Sequence, residues 1–96
     1  MNSKPATPKI LLQLSPEFEE EFEKLDKGAR APVVKKMDQI RQSGHFPKMK
    51  ALTGHLKGLH RFEVGSLRVT TEVDFVNRIM NLVGVEFRGS VYQQKR

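Results

Sequence analysis

Arg61, Glu63, Arg68, Glu86 and Arg88 are the residues of this chain whose types and spacing fit a chemical task. Each sits in a run where apolar and polar side chains alternate. Phe62 and Val64 alternate with Arg61 and Glu63, and Leu67, Val69, Thr71, Val73 and Phe75 with Arg68, Thr70, Glu72 and Asp74. Further on, Ile79, Val83, Val85 and Phe87 share one parity and leave Glu86 and Arg88 on the other. A period of two sends the charged members to one face of a sheet. Arginines and carboxylates on one face suit cleavage of a phosphodiester. Metal-free cleavage of RNA needs a base for the 2′-hydroxyl, a cation for the phosphorane-like transition state and an acid for the leaving 5′-oxygen. The planar guanidinium fork binds phosphate oxygens bidentately, which suits arginine to the second task. Glu63 or Glu86 is the candidate base, and Tyr92 or a histidine the candidate acid. The competing reading is a cross-strand salt-bridge network on a solvated sheet. Arg68 resists it best, lying mid-strand in a segment otherwise rich in valine and threonine.

The charge distribution points the same way. The 96 residues carry 17 Lys and Arg against 11 Asp and Glu, a formal net charge of +6, which favours a polyanionic partner. Glu17, Glu19, Glu20, Glu21, Glu23 and Asp26 crowd six carboxylates into one short segment. From Lys27 to Arg61 nine cations face a single acid, Asp38. Lys35 and Lys36, the loop lysines Lys48, Lys50 and Lys57, and His60 at the start of a strand are the candidate contacts to RNA or the ribosome. A solvated basic helix face is the bland alternative, but the excess continues past the helix into the next loop and strand. The chain has no cysteine, so a thiolate metal site and a disulfide framework are both excluded. His45, His55 and His60 match no helical or finger spacing for a metal, and no metal or other cofactor is expected. No P-loop, dinucleotide-binding glycine pattern or Ser-His-Asp arrangement is present. Residues 1–8 lack the apolar stretch of a signal peptide, and no apolar run approaches membrane-spanning length. A cytoplasmic protein without a membrane partner is expected.

The elements that must position these residues are readable in outline. Residues 1–8 read as a flexible tail, and residues 9–96 as a single domain. The run KILLQL (9–14) predicts a first strand. Ser15 and Pro16 start a helix as N-cap and first helical residue, with Phe18, Phe22 and Leu25 as its core stripe. Residues 26–28 separate it from a second helix that begins near Ala29 or Pro32 and ends at Ser43. That helix carries the stripe Val33, Met37 and Ile40, and Gly44 terminates it. Residues 45–57 read as a basic loop. Gly65-Ser66 is a two-residue hairpin signal of type II′, and the last third forms an antiparallel meander. The predicted class is α+β, a strand and an αα-hairpin followed by the meander, with both helices on one face of the sheet. Met80 and Leu82 share the parity of Glu86. Either part of the charged face is apolar or the last strand carries a bulge.

The sequence resembles the RelE/ParE superfamily of toxins over about residues 10–92. The most specific part is LTGHLKGLHRFEVGSLRV, Leu52 to Val69, with a Leu and Gly in a basic loop, a strand, a Gly-containing turn and an Arg-Val pair. Val83-Gly84, Arg88 and Val91-Tyr92 form the second part. The resemblance implies a microbial RNase-like fold with a concave basic sheet and an mRNA interferase that cuts the codon in the ribosomal A site by metal-free 2′-OH attack. It implies that Arg68 binds the scissile phosphate, that Arg61 and Arg88 are basic residues of flanking strands, and that Tyr92 stacks on or protonates the substrate. Glu63 and Glu86 depart from the all-cation site of RelE itself, although other members use a glutamate base. The family also implies a cognate antitoxin as partner. ParE-like members share the fold and poison DNA gyrase instead. A catalytically degenerate binding module is a third possibility.

Overall fold

In the computed structural model, which describes residues 8–87, five strands form one sheet in the order β1-β5-β4-β3-β2. In chain order the elements are β1 (Leu11–Leu14), α1 (Pro16–Glu23), α2 (Lys27–Ser43), β2 (Lys50–Ala51), a 3-10 turn (Gly54–Leu56), β3 (Leu59–Val64), β4 (Leu67–Asp74) and β5 (Ile79–Phe87). β3, β4 and β5 are the antiparallel meander, and β1 returns to pair in parallel with β5.

Local chemistry sets the boundaries. The Ser15 hydroxyl accepts from the Phe18 N–H at 3.1 Å and so caps α1. Asp26 does the same for α2, accepting from the Ala29 N–H at 2.9 Å. Because Asp26 is the cap, α2 starts at Lys27 rather than at Ala29 or Pro32, and Lys27 and Gly28 belong to the helix. Pro32 lies inside α2. It withholds an N–H from the Gly28 carbonyl, but Gly28 is exposed and water can serve that oxygen. Gly44 ends the helix at φ 71 with its N–H on the Ile40 carbonyl. Gly65 has φ 60 while Ser66 stays at negative φ, the pattern of a type II′ turn. At the other end of the hairpins the Asp74 carboxylate accepts from the Asn77 backbone N–H at 3.0 Å and from its side-chain amide at 2.9 Å. The backbone bond, then the side-chain bond, hold the Asp74 carboxyl below its ordinary pKa. Its contribution to the turn is therefore complete above the ordinary aspartate range and is lost as pH falls through the lowered value.

The helices cover one face. Phe18, Leu25, Val33, Met37 and Ile40 pack against Phe62, Val64, Leu67, Val69, Met80, Leu82 and Val85, all buried. β5 reaches this core only by breaking its own alternation. Thr71 pairs with Leu82 while Thr70 pairs with Gly84, so Val83 is an extra residue in β5. Before it, Met80 and Leu82 point into the core; after it, Val85 does. The expectation that Ile79, Val83, Val85 and Phe87 share one inward face is thereby corrected. Only Val85 of the four is buried, and Phe87 is 41% exposed. The bulge, one of the two readings the parity left open, resolves the conflict. Thr71, fully buried beside it, donates its hydroxyl proton to the Asn81 carbonyl at 3.1 Å.

β1 accompanies β5 only as far as Leu82. Beyond that point α1 guards the edge, and Glu21 Oε1 accepts from the Val85 N–H at 2.9 Å. The same oxygen lies 3.2 Å from where a Cβ on Gly84 would sit, so this position favours glycine. A hydrogen bond to a charged carboxylate contributes about 1.5–3 kcal/mol, and this one, on a partly buried edge amide, is placed at the lower end. Glu21→Ala is expected to lower the free energy of unfolding by that amount, and so to move the urea midpoint down at an unchanged m-value, as chemical denaturation would read.

Candidate nucleic-acid interface

Strand register, more than proximity in sequence, assembles the charged face. Arg68 on β4 lies directly between Glu63 on β3 and Glu86 on β5. One row further along, Lys50 of β2 pairs with Arg61 of β3, which pairs with Thr70 of β4. Their neighbours Phe62, Val64, Leu67, Val69 and Val85 turn inward, so Arg61, Glu63, Arg68, Thr70 and Glu86 face away from the helices. Arg61 and Arg68 are half-buried, whereas Glu63 and Glu86 are exposed.

A recess forms where the sheet runs out. β2 is two residues long and pairs only with His60 and Arg61, leaving the edge of β3 beyond Arg61 without a strand. A cleft of about 530 Å³ opens there, lined by Lys36 of α2, by Pro47, Lys48, Met49 and Lys50, and by Arg61, Phe62, Glu63 and Arg68. Five cations and one carboxylate thus share walls that are partly apolar. Low-dielectric walls concentrate the field of such a cluster and attract anions. The salt-bridge alternative is not built between the arginines and Glu86 among the described residues. Among the described residues Arg61, Arg68 and Glu86 make no ion pair; the one formed by Arg41 and Asp38, at 3.1 Å, is on the outer surface of α2. Arg61 Nε is buried and has no hydrogen-bond partner among the described residues. An unsatisfied buried donor costs about 1–3 kcal/mol, which an incoming phosphate oxygen would recover.

Six of the residues singled out from sequence therefore meet in one cleft: Lys36, Lys48, Lys50, Arg61, Glu63 and Arg68. Others do not join them. Glu86 is beside Arg68 in the sheet but outside the cleft lining. Lys35 faces a separate groove along α2 with Phe22, Lys27, Arg30 and Val34. Lys57 is exposed just past the 3-10 turn. His60 shares the inward parity of Phe62 and Val64, and packs edge-on to Phe75 at 5.5 Å with Phe46 beyond it. It stands on the opposite side of β3 from Arg61 and Glu63. Arg88 and Tyr92 lie outside the described residues. Residue-type reasoning overlooked Pro47, Met49 and Phe62 as walls, since nothing local marks an apolar residue as lining a polar recess. Among the described residues no three metal-ligating side chains are grouped, and no helix is long and apolar enough to cross a membrane.

The arrangement can hold a phosphodiester by two guanidinium groups, with a carboxylate within the same recess and lysines along the path to it. No protein-family model matches the sequence, and no curated protein is similar to it. Solved structures are similar. A chain of the RelBE2 toxin–antitoxin complex from Mycobacterium tuberculosis superposes with a TM-score of 0.73 at 17% identity, covering 84% of this chain and 100% of that one. The isolated RelE toxin of E. coli gives 0.63 at 17% identity over 88% and 93%. A chain of the YoeB dimer from Staphylococcus aureus gives 0.59 at 16% over 84% and 99%. The fold is that of the RelE-like toxins.

Proposed function

We propose that this protein is the toxin of a toxin–antitoxin pair and an endoribonuclease that cuts mRNA in the ribosomal A site. The observation that carries the reading is the cleft in which Arg61, Arg68 and three lysines converge around one carboxylate, on a RelE-like fold. In this mechanism Arg68 and Arg61 grip the non-bridging oxygens of the scissile phosphate. A glutamate takes the proton of the 2′-hydroxyl, whose oxygen attacks phosphorus. The 5′-oxygen leaves with a proton from an acid, yielding a 2′,3′-cyclic phosphate and a 5′-hydroxyl. Glu63 is favoured over Glu86 as base because it lines the cleft. Tyr92 is proposed as the acid and Arg88 as a further phosphate contact, both on the sequence resemblance. The lysines follow the RNA backbone, whose charge dominates affinity. A cognate antitoxin is the proposed partner, since the superposed M. tuberculosis chain comes from a toxin–antitoxin complex; the cytoplasm, where translated mRNA is found, is the proposed compartment.

Mapping mRNA 5′ ends on stalled ribosomes after expression tests this directly. Cuts inside A-site codons are the expected result. Cleaved DNA–gyrase complexes without such cuts would transfer the protein to the gyrase-poison class. Within the nuclease reading, Glu63→Gln is expected to slow cleavage by at least about 100-fold, the lower end of general-base effects, and Glu86→Gln by much less. Single-turnover rates on programmed ribosomes would distinguish them.

A further inference from the structure

Arg78, in the turn between β4 and β5, is the only non-glycine residue at positive φ among the described residues, at 58°. That conformation is cheap for Gly or Asn and costs other residues about 1–2 kcal/mol, so the side chain must account for arginine here. Its guanidinium donates from Nη2 to the Gly44 and Pro8 carbonyls and from Nε to the Lys9 carbonyl, the last two at 3.3 and 3.4 Å. Its charge also lies 5.0 Å over the ring of Phe46, which itself packs edge-on against Phe75 at 5.1 Å. One side chain thus closes the C-terminal end of α2, where a cation is favoured, and holds the first residues after it.

The segment that starts there forms a wall of the cationic cleft. Between Gly44 and β2 the chain has no regular structure, yet it delivers Pro47, Lys48, Met49 and Lys50 to the recess. Pairing of Lys50 with Arg61 fixes its far end; Arg78 fixes its near end. We propose that Arg78 is a positioning residue for the cleft, acting through the 44–50 segment to set Lys48 and Lys50 against Arg61 and Arg68. The proposal rests on the reading of the cleft as a nucleic-acid site.

The test is binding of a labelled single-stranded oligouridylate across a salt series. Arg78→Asn is the informative variant, because asparagine accepts positive φ and only the guanidinium is lost. With the contacts of Lys48 and Lys50 loosened, affinity near 0.1 M salt is expected to fall roughly tenfold, and the slope of log K on log salt to flatten by about 1.4, some 0.7 per lost contact. In a Lys48→Ala/Lys50→Ala background the same substitution is expected to leave affinity unchanged while still lowering the melting temperature. Arg78→Lys, which keeps the charge but not the fork, should recover part of the binding, and it is read by the same criteria if Arg78→Asn does not fold. Parental affinity and slope in a folded Arg78 variant, or an undiminished loss in the double-lysine background, would overturn the proposal. If the parent protein itself fails to bind the oligonucleotide, the nucleic-acid reading falls first and the role of Arg78 with it.

Discussion

Arg68→Ala is expected to abolish growth arrest and to reduce cleavage on the ribosome by at least about 100-fold, the usual loss when one preorganised transition-state donor is removed. The protein should nonetheless fold. Arg68 is half-buried on the sheet face away from the helices, and it makes no ion pair with any described residue. Truncation therefore leaves neither a cavity in the core nor an orphaned partner, and stability should stay within roughly 0.5 kcal/mol of the parent. Arg68→Lys should fall between the two, since an ammonium retains the charge but cannot span two phosphate oxygens. Paired measurements decide the matter, single-turnover cleavage beside thermal melting. A well-folded Arg68→Ala protein as toxic as the parent would remove Arg68 from the chemistry.

The features that proved readable in the sequence were those whose causes are local. Ser15 marks its helix start in the residues themselves, and so do Gly44 and Gly65 for the helix end and the hairpin, because each acts within a few positions along the chain. Arg61, Glu63 and Arg68 were assigned to one face for a similarly local reason, strict alternation within β3 and β4. Pairings between distant segments left no such mark. The apolar run at 9–14 announces a strand but not that it lies parallel to β5. The two-residue β2 is too short for alternation to register. Convergence of Lys36 with Lys48 and Lys50 depends on how α2 packs over the edge of β3. Lys35, one residue away, turns to a different groove. His60 is a separate lesson. Its parity with Phe62 and Val64 already placed it on the inner side of β3, against Phe75 and apart from the cleft lining.

Deleting Val83 is expected to prevent cooperative folding altogether, although Val83 is only half-buried and contributes little by its own side chain. Without the extra residue β5 must keep one parity throughout. If the half beyond the bulge keeps its place, Met80 and Leu82 rotate out of the core. Both are fully buried, and removing such side chains from a core costs about 2–5 kcal/mol each, much of the 5–15 kcal/mol that stabilises a typical domain. If the first half holds instead, Val85 turns outward and Glu86 turns toward the buried side chains, where an unpaired carboxylate is costlier still. The parallel pairing with β1 and the bond from the Ser15 N–H to the Leu82 carbonyl at 3.0 Å oppose any slip that would spread the damage. Val83→Thr keeps the residue count and so the bulge, and should cost no more than about 1 kcal/mol. Far-UV circular dichroism during a urea titration separates the two, with a normal transition for the substitution and none for the deletion. A deletion variant that melts like the parent would mean that β5 can repack without the bulge. The same residue then matters to function, because Glu86 stands beside Arg68 on the open face only when Val83 has already reversed the parity of the strand.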